Sequence, residues 1–236
     1  MLYLQATNLV KKYGNRDVVK DINMNISQNE ILGVIGPNGA GKTTCIELLI
    51  GLKEEDGGTI QYFMEDFKNN IGVQLQSISF FPRLSVSENL RLFGAFYKKN
   101  VNKYEMKEIL SKCNLTQSAN MEASKLSGGQ QKRLAIALTL IHDPKLIFLD
   151  EPTAALDPLS KKELHSLIRQ VNKEGRTVVF TSHDMEEVNY LANRIIFINK
   201  GRIICEGDPK LLIEEHNVAN LESLYIKLIS EEVSEC

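Results

Sequence analysis

The sequence predicts an α/β fold: a core with a mixed sheet built around a phosphate-binding loop, an antiparallel β-subdomain at the N-terminus and an inserted helical subdomain. Three observations carry that prediction. Gly36-Pro37-Asn38-Gly39-Ala40-Gly41-Lys42-Thr43-Thr44 fits G-x-x-x-x-G-K-[ST], and it lies between an apolar run at 30–35 and helical content at 45–50. Residues 145–149 and 177–181 are continuous apolar runs, as in parallel strands buried on both faces. Between these, the segment 82–125 and a helix at 130–141 read as helical, so the inserted subdomain spans about 82–140.

In chain order, residues 2–10 and 18–27 are expected to form a hairpin, with Ile22, Met24 and Ile26 alternating against Asn23, Asn25 and Ser27. Tyr13, between them, fits either an aromatic cover at a strand end or a platform on which a base stacks. The strand at 30–35 feeds the loop, and Gly51 is placed to stop the following helix. A turn at Asp56-Gly57-Gly58 enters a short strand, and Ile71–Gln76 reads as another, ending in a polar residue. Ser85 and Glu88 have capping-box spacing, opening a helix with Leu90, Phe93 and Tyr97 on one face. Residues 105–113 continue as helix through Met106, Ile109, Leu110 and Cys113. Leu126-Ser127-Gly128-Gly129-Gln130 precedes a helix with Leu134, Ala137, Leu138 and Ile141 inward. Residues 160–173 are helical, 195–198 and 202–205 form a closing hairpin, and a helical tail occupies 208–236. In that tail Leu221, Leu224, Tyr225, Leu228 and Ile229 make one apolar stripe.

Composition bounds the classes of function. The 236 residues suit one domain, with 43% hydrophobic and 25% charged residues, as in ordinary globular chains. A net charge of −2, with scattered Lys pairs, argues against a basic nucleic-acid face. No apolar run approaches the roughly 20 residues of a membrane helix, and no charged-then-apolar leader opens the chain, so a cytoplasmic protein is expected. Cys45, Cys113, Cys205 and Cys236 lack metal-ligand spacing and are read as incidental thiols.

The candidate chemistry concentrates at strand ends. The loop glycines admit close phosphate approach, Lys42 reaches the β/γ-phosphates and the Thr43 hydroxyl suits Mg²⁺. Ser127-Gly128-Gly129 offers a second helix start, as an anion site or simply a capped turn. Asp150 and Glu151 adjoin at the end of a buried strand, where carboxylates suit Mg²⁺ and water activation. His183 lies at another strand's C-terminal end, where open α/β sheets bind ligands. His142, His165 and His216, among polar neighbours, are expected on the surface.

Together GPNGAGKTT (36–44), LSGGQ (126–130), LIFLDEP (146–152), AALD (154–157) and TSH (181–183) resemble, in order, the ATP-binding subunits of ABC transporters. The resemblance covers essentially the whole chain and implies a single ABC-type ATPase domain, 1–236. It implies that Tyr13, Gly36, Asn38, Gly39, Gly41, Lys42, Thr43 and Thr44 bind ATP. Ser127 and Gly129 would bind the ATP of an opposing subunit. Thr43, Gln76 and Asp150 would hold Mg²⁺, with Glu151 as general base, Gln76 as the loop glutamine and His183 as the γ-phosphate switch. Asp157 would contact the facing subunit. Gln74 competes for the loop position, but the phrase IGVQLQ favours Gln76. The implied partners are a second nucleotide-binding subunit, as a homodimer, and a separate transmembrane permease; no nucleic acid is expected. The protein would then sit on the inner face of the cell membrane, attached through that permease. Residues 81–90 look most like exporters of drugs, antibiotics or other hydrophobic cargo. The alternative class is a soluble, non-transport relative acting on a protein or nucleic-acid assembly.

Overall fold

The N-terminal hairpin forms because apolar and polar residues alternate along both strands. β1 (Leu2–Tyr13) and β2 (Arg16–Ser27) pair antiparallel, and Ile22, Met24 and Ile26 are buried while Asn23 and Asn25 are exposed. The computed structural model describes residues 1–76 and 80–234, excepting the side chains of 231–234. Register slips beside Asn8 and Asp21, both at positive φ, and the Asn8 amide donates to the Asp21 carboxylate at 2.6 Å. These bulges twist the hairpin without reversing its buried face. β4 (Gly57–Tyr62) joins the other edge of β1, also antiparallel.

Two units divide the chain: Met1–Glu65 with everything from Thr177 onward, and Asp66–Arg176. The first also holds a mixed sheet. β3 (Ile31–Ile35) lies between β7 (Thr177–Ser182) and β8 (Arg194–Asn199), parallel to both, while β9 (Arg202–Gly207) returns antiparallel along β8. β3 and β7 are buried along their whole length, which explains their unbroken apolar runs. This unit also carries α1 (Lys42–Leu49), α6 (Met185–Leu191), α7 (Pro209–Glu215) and α8 (Leu221–Ser234). Gly51 adopts φ +72°, just past the end of α1.

In the second unit β5 (Ile71–Gln74) pairs parallel with β6 (Leu146–Asp150). Among the described residues four α-helices accompany them: α2 (Val86–Phe96), α3 (Lys103–Lys112), α4 (Gly128–Leu140) and α5 (Pro158–Lys173). Reciprocal capping boxes start α2 at Ser85/Glu88, α3 at Asn102/Glu105 and α4 at Ser127/Gln130. Leu134, Ala137, Leu138 and Ile141 are all buried, as their spacing predicts. No helix among the described residues is long and apolar enough to cross a membrane.

Several expectations need correction. β5 ends at Gln74, so Gln76 lies in the bend beyond it. α3 starts at Lys103 because Asn102 accepts from the Tyr104 and Glu105 amides, and α5 starts at Pro158 because Asp157 caps it. The three histidines expected on the surface are all partly buried. His142 stacks on Tyr97 with ring centres 3.7 Å apart and shares a 2.9 Å hydrogen bond with the Ile71 carbonyl. Burial pulls its pKa below the ordinary histidine value. Cys236 lies outside the described residues; Cys45 and Cys113 are buried, and burial pushes both thiols up to about 12.

Candidate active site

The phosphate loop is built where β3 runs out. Ile35 pairs with Ser182 of β7 in parallel register, so the loop and His183 leave adjacent strands at the same sheet edge. Gly36, at φ +155°, has no room for a side chain: a Cβ there would stand 2.0 Å from the Ile198 carbonyl oxygen. At Gly41, φ +107°, a Cβ would stand 2.6 Å from the Val18 carbonyl oxygen. These contacts confine both positions to glycine and hold the loop against β2 and β8. α1 then starts at Lys42 with no side-chain cap, which leaves its first amides facing the loop. The Lys42 ammonium is buried and donates to the carbonyls of Gly36 and Pro37 at 2.8 and 3.1 Å. Thr43 is exposed at the loop's end and Thr44 half-buried; Gly39 and Asn38 form its exposed tip.

Tyr13 stands at the end of β1 with 43% of its surface exposed, so it is no core aromatic. Lys53 and Lys11 place their ammonium groups 5.0 and 6.0 Å from the ring centre, and Lys53 is itself paired to Glu47 of α1 at 2.8 Å. His183 is exposed just after β7. Its neighbours are pinned: Ser182 Oγ donates to Glu187 at 2.7 Å and accepts from the Asp184 amide at 3.0 Å.

In the other unit, Gln74 pairs with Leu149 in parallel register, so Gln76 and the carboxylates leave β5 and β6 at one edge. Gln76 is exposed. Gln74 is buried, with Nε2 donating to the Leu75 carbonyl at 2.8 Å and Oε1 buried without a hydrogen-bond partner among the described residues. Asp150 is 1% exposed at the end of β6. Glu151 follows at φ +47°, a left-handed conformation that costs a non-glycine residue about 1–3 kcal/mol. Its carbonyl accepts from the Lys132 ammonium and from the Ala154 amide, both at 3.3 Å. Lys132, on α4, was not legible as a site residue: among Gln131, Lys132 and Arg133 it reads as a polar helix face, yet it is 8% exposed.

At the start of α4, Ser127 Oγ accepts from the Gln130 amide at 3.3 Å, and Ser127 and Gly128 are exposed. Gly129 is buried; a Cβ there would stand 2.4 Å from Ser160 Oγ, which fixes α4 closely against α5. Asp157 accepts from the Leu159 and Ser160 amides at 3.0 Å, and the Ser160 hydroxyl, together with those amides, holds its pKa below the usual carboxylate value. One unit thus carries Tyr13, the loop and His183, and the other carries Gln76, Ser127, Gly129, Asp150, Glu151 and Asp157.

Comparison with known proteins decides the family. The model of the family described as "ABC transporter" matches residues 19–154, more than half of the chain. The chain belongs to the ABC transporter family. It is 38% identical to the linearmycin resistance ATP-binding protein LnrL of Bacillus subtilis (strain 168), over 86% of this chain and 68% of the relative. The Nod factor export ATP-binding protein I of Sinorhizobium fredii is 35% identical, over 94% of this chain and 67% of the relative. Among solved structures, a dimeric ATP-binding cassette in a post-hydrolysis state with ADP and Pi superposes with a TM-score of 0.76 and 28% identity. That match covers 87% of this chain and 98% of the other. The protein is an ATP-binding, ATP-hydrolysing transporter subunit of α/β fold.

Proposed function

We propose that this chain hydrolyses Mg²⁺-ATP as a head-to-tail homodimer and so drives export through a separate transmembrane permease. One observation carries the reading. Two helix starts of the chain are glycine-flanked and suited to phosphate, the buried one at Gly41–Lys42 and the exposed one at Ser127–Gly128, and the first alone closes a G-x-x-x-x-G-K loop. A nucleotide held by Lys42 and Thr43 leaves the Ser127 hydroxyl and the Gly128 and Gly129 amides to the γ-phosphate of a second copy, the Ser127 amide being held by Gln130 at 3.0 Å. Two chains facing head to tail complete both sites.

The residues fit their assigned roles. Gly36, Asn38, Gly39, Gly41, Lys42, Thr43 and Thr44 cradle the phosphates, and Tyr13 stacks on adenine. Glu151 takes the proton of the attacking water, His183 holds the γ-phosphate, Gln76 reports its state, and Asp157 contacts the facing copy. Asp150, buried at the end of β6, offers a carboxylate suited to Mg²⁺, which is commonly held by one or two carboxylates together with substrate phosphates. Thr43, Gln76 and Asp150 would hold it, and it would supply charge neutralisation at the β/γ-phosphates.

Export, and attachment to the membrane's inner face through the permease, draw on the relatives' names and on an aromatic patch. Phe81, Phe96 and Tyr97 are each more than 40% exposed, with Phe93 lying 6.3 Å from Phe81 and 5.6 Å from Phe96. The segment expected to receive the permease, 77–97, includes residues 77–79, which lie outside the described residues. The test is purification of the tagged chain from detergent-solubilised membranes of its own cells. A membrane-spanning protein retained in stoichiometric amount is the expected result. Retention of soluble proteins alone would overturn the transport reading.

A further inference from the structure

Two buried cations on α4 have no part in the proposed mechanism: Arg133 is paired to Glu163, whereas Lys132 reaches the catalytic strand end. It lies five residues beyond Ser127 on α4, is 8% exposed, and donates to the Glu151 carbonyl at 3.3 Å. Glu151 is a side chain in the left-handed region, and its backbone does not favour that geometry. Two donors hold its carbonyl: the Ala154 amide, from the turn that follows, and Lys132, from a different element. Burial lowers the pKa of the ammonium, while Glu151 and Asp150 act to keep it charged. A lysine that gives up solvent to place its ammonium on this carbonyl points to a task for the charge.

We infer that Lys132 is a positioning residue for hydrolysis: it fixes the backbone at Glu151 and ties that point to α4, the helix that begins at Ser127. Resting on the reading of Glu151 as general base, it adds a physical link between the two. A helix moves as a unit over a turn and a half, so displacement of Ser127 displaces the anchor of Glu151. Loading of the signature would thereby be felt at the base of the same chain.

The test is Lys132→Met, an unbranched side chain of similar length with no donor and no charge, measured beside Glu151→Gln in the full chain. Three quantities are read: kcat and KM for ATP, Mg²⁺-ATP affinity by direct titration, and Tm. Lys132→Met is expected to lower kcat fivefold or more, to leave KM and affinity within twofold, and to leave Tm unchanged or higher. A purely structural lysine would give the reverse pattern, a lower Tm with native kcat, and that result overturns the assignment. If the Met variant does not fold, Lys132→Gln is judged by the same criteria. Glu151→Gln separates the two claims. Native turnover in Glu151→Gln removes the premise about the base. Lost turnover there, with native turnover in Lys132→Met, overturns the role of Lys132 alone.

Discussion

Replacing Tyr13 by alanine removes one face of the proposed adenine site, and the structure sets the size of the effect. The ring is 43% exposed at the end of β1, so its loss opens no cavity and should cost little stability. Base stacking on an aromatic ring is worth about 1–3 kcal/mol by alanine substitution. At about 1.4 kcal/mol per tenfold, that corresponds to roughly 5- to 150-fold in affinity. Lys53, 5.0 Å from the ring centre, already draws about 0.5–1 kcal/mol from one face at an exposed site. A base must share the ring with this ammonium and with that of Lys11, 6.0 Å from the ring centre, which puts the loss towards the lower half of the range. Tyr13→Ala is therefore expected to weaken ATP about tenfold in a fluorescence or calorimetric titration, while Tyr13→Phe stays near native. Tripolyphosphate, which has no base, should bind all three proteins alike. Equal ATP affinity in all three would refute the reasoning and return Tyr13 to a structural cover.

Phe81→Asp places a charge in the exposed aromatic patch; it should uncouple transport while basal ATP hydrolysis and Tm stay near native, and loss of folding would mark Phe81 as core. Deleting 219–236 removes the buried Leu221 and Leu224 and the stacking of Tyr225 on Phe197 at 5.7 Å. At about 1.5–3 kcal/mol per buried leucine, with about 0.5–1.5 for the ring pair, the deletion removes about 3.5–7.5 kcal/mol, on the order of half the stability of a typical domain. A markedly lower Tm or aggregation is expected, and an unchanged soluble protein would contradict that packing. His142 has a lowered pKa in the folded protein, so the unfolded chain takes up its proton first as pH falls below about 6.5. Stability should therefore fall from neutral pH towards 5, and by less in His142→Phe; parallel Tm–pH curves for the two would exclude His142 as a cause.

The elements legible in the sequence were those in which one local pattern decides the outcome. Ile22, Met24 and Ile26 mark one face of β2, and the apolar runs of β6 and β7 mark strands covered on both sides. The capping box at Ser85 and the loop glycines needed only the spacing of a few residues. What escaped depended on tertiary contact. His142 sits among polar residues in the chain but finds the Tyr97 ring, 45 positions earlier, across the fold. Lys132 looks solvated in the chain, yet it is 8% exposed and meets the Glu151 carbonyl, 19 positions later. Gln74 and Gln76 differ only in where β5 stops, and strand ends are set by pairing, here with β6. The strain at Glu151 is a backbone property with no marker in residue type.

The central claim is that ATP itself closes two copies of this chain, because each supplies a signature to the other's γ-phosphate. Glu151→Gln should block cleavage but keep Mg²⁺-ATP bound, so the phosphate charges that hold the copies together persist. Size-exclusion chromatography with light scattering, run with and without saturating Mg²⁺-ATP, reads the outcome directly. The account predicts a dimer of Glu151→Gln with ATP, a monomer without it, and a monomer in both conditions once Ser127→Arg is added. A Glu151→Gln protein that binds Mg²⁺-ATP yet stays monomeric would contradict the claim that two copies and ATP alone complete the site.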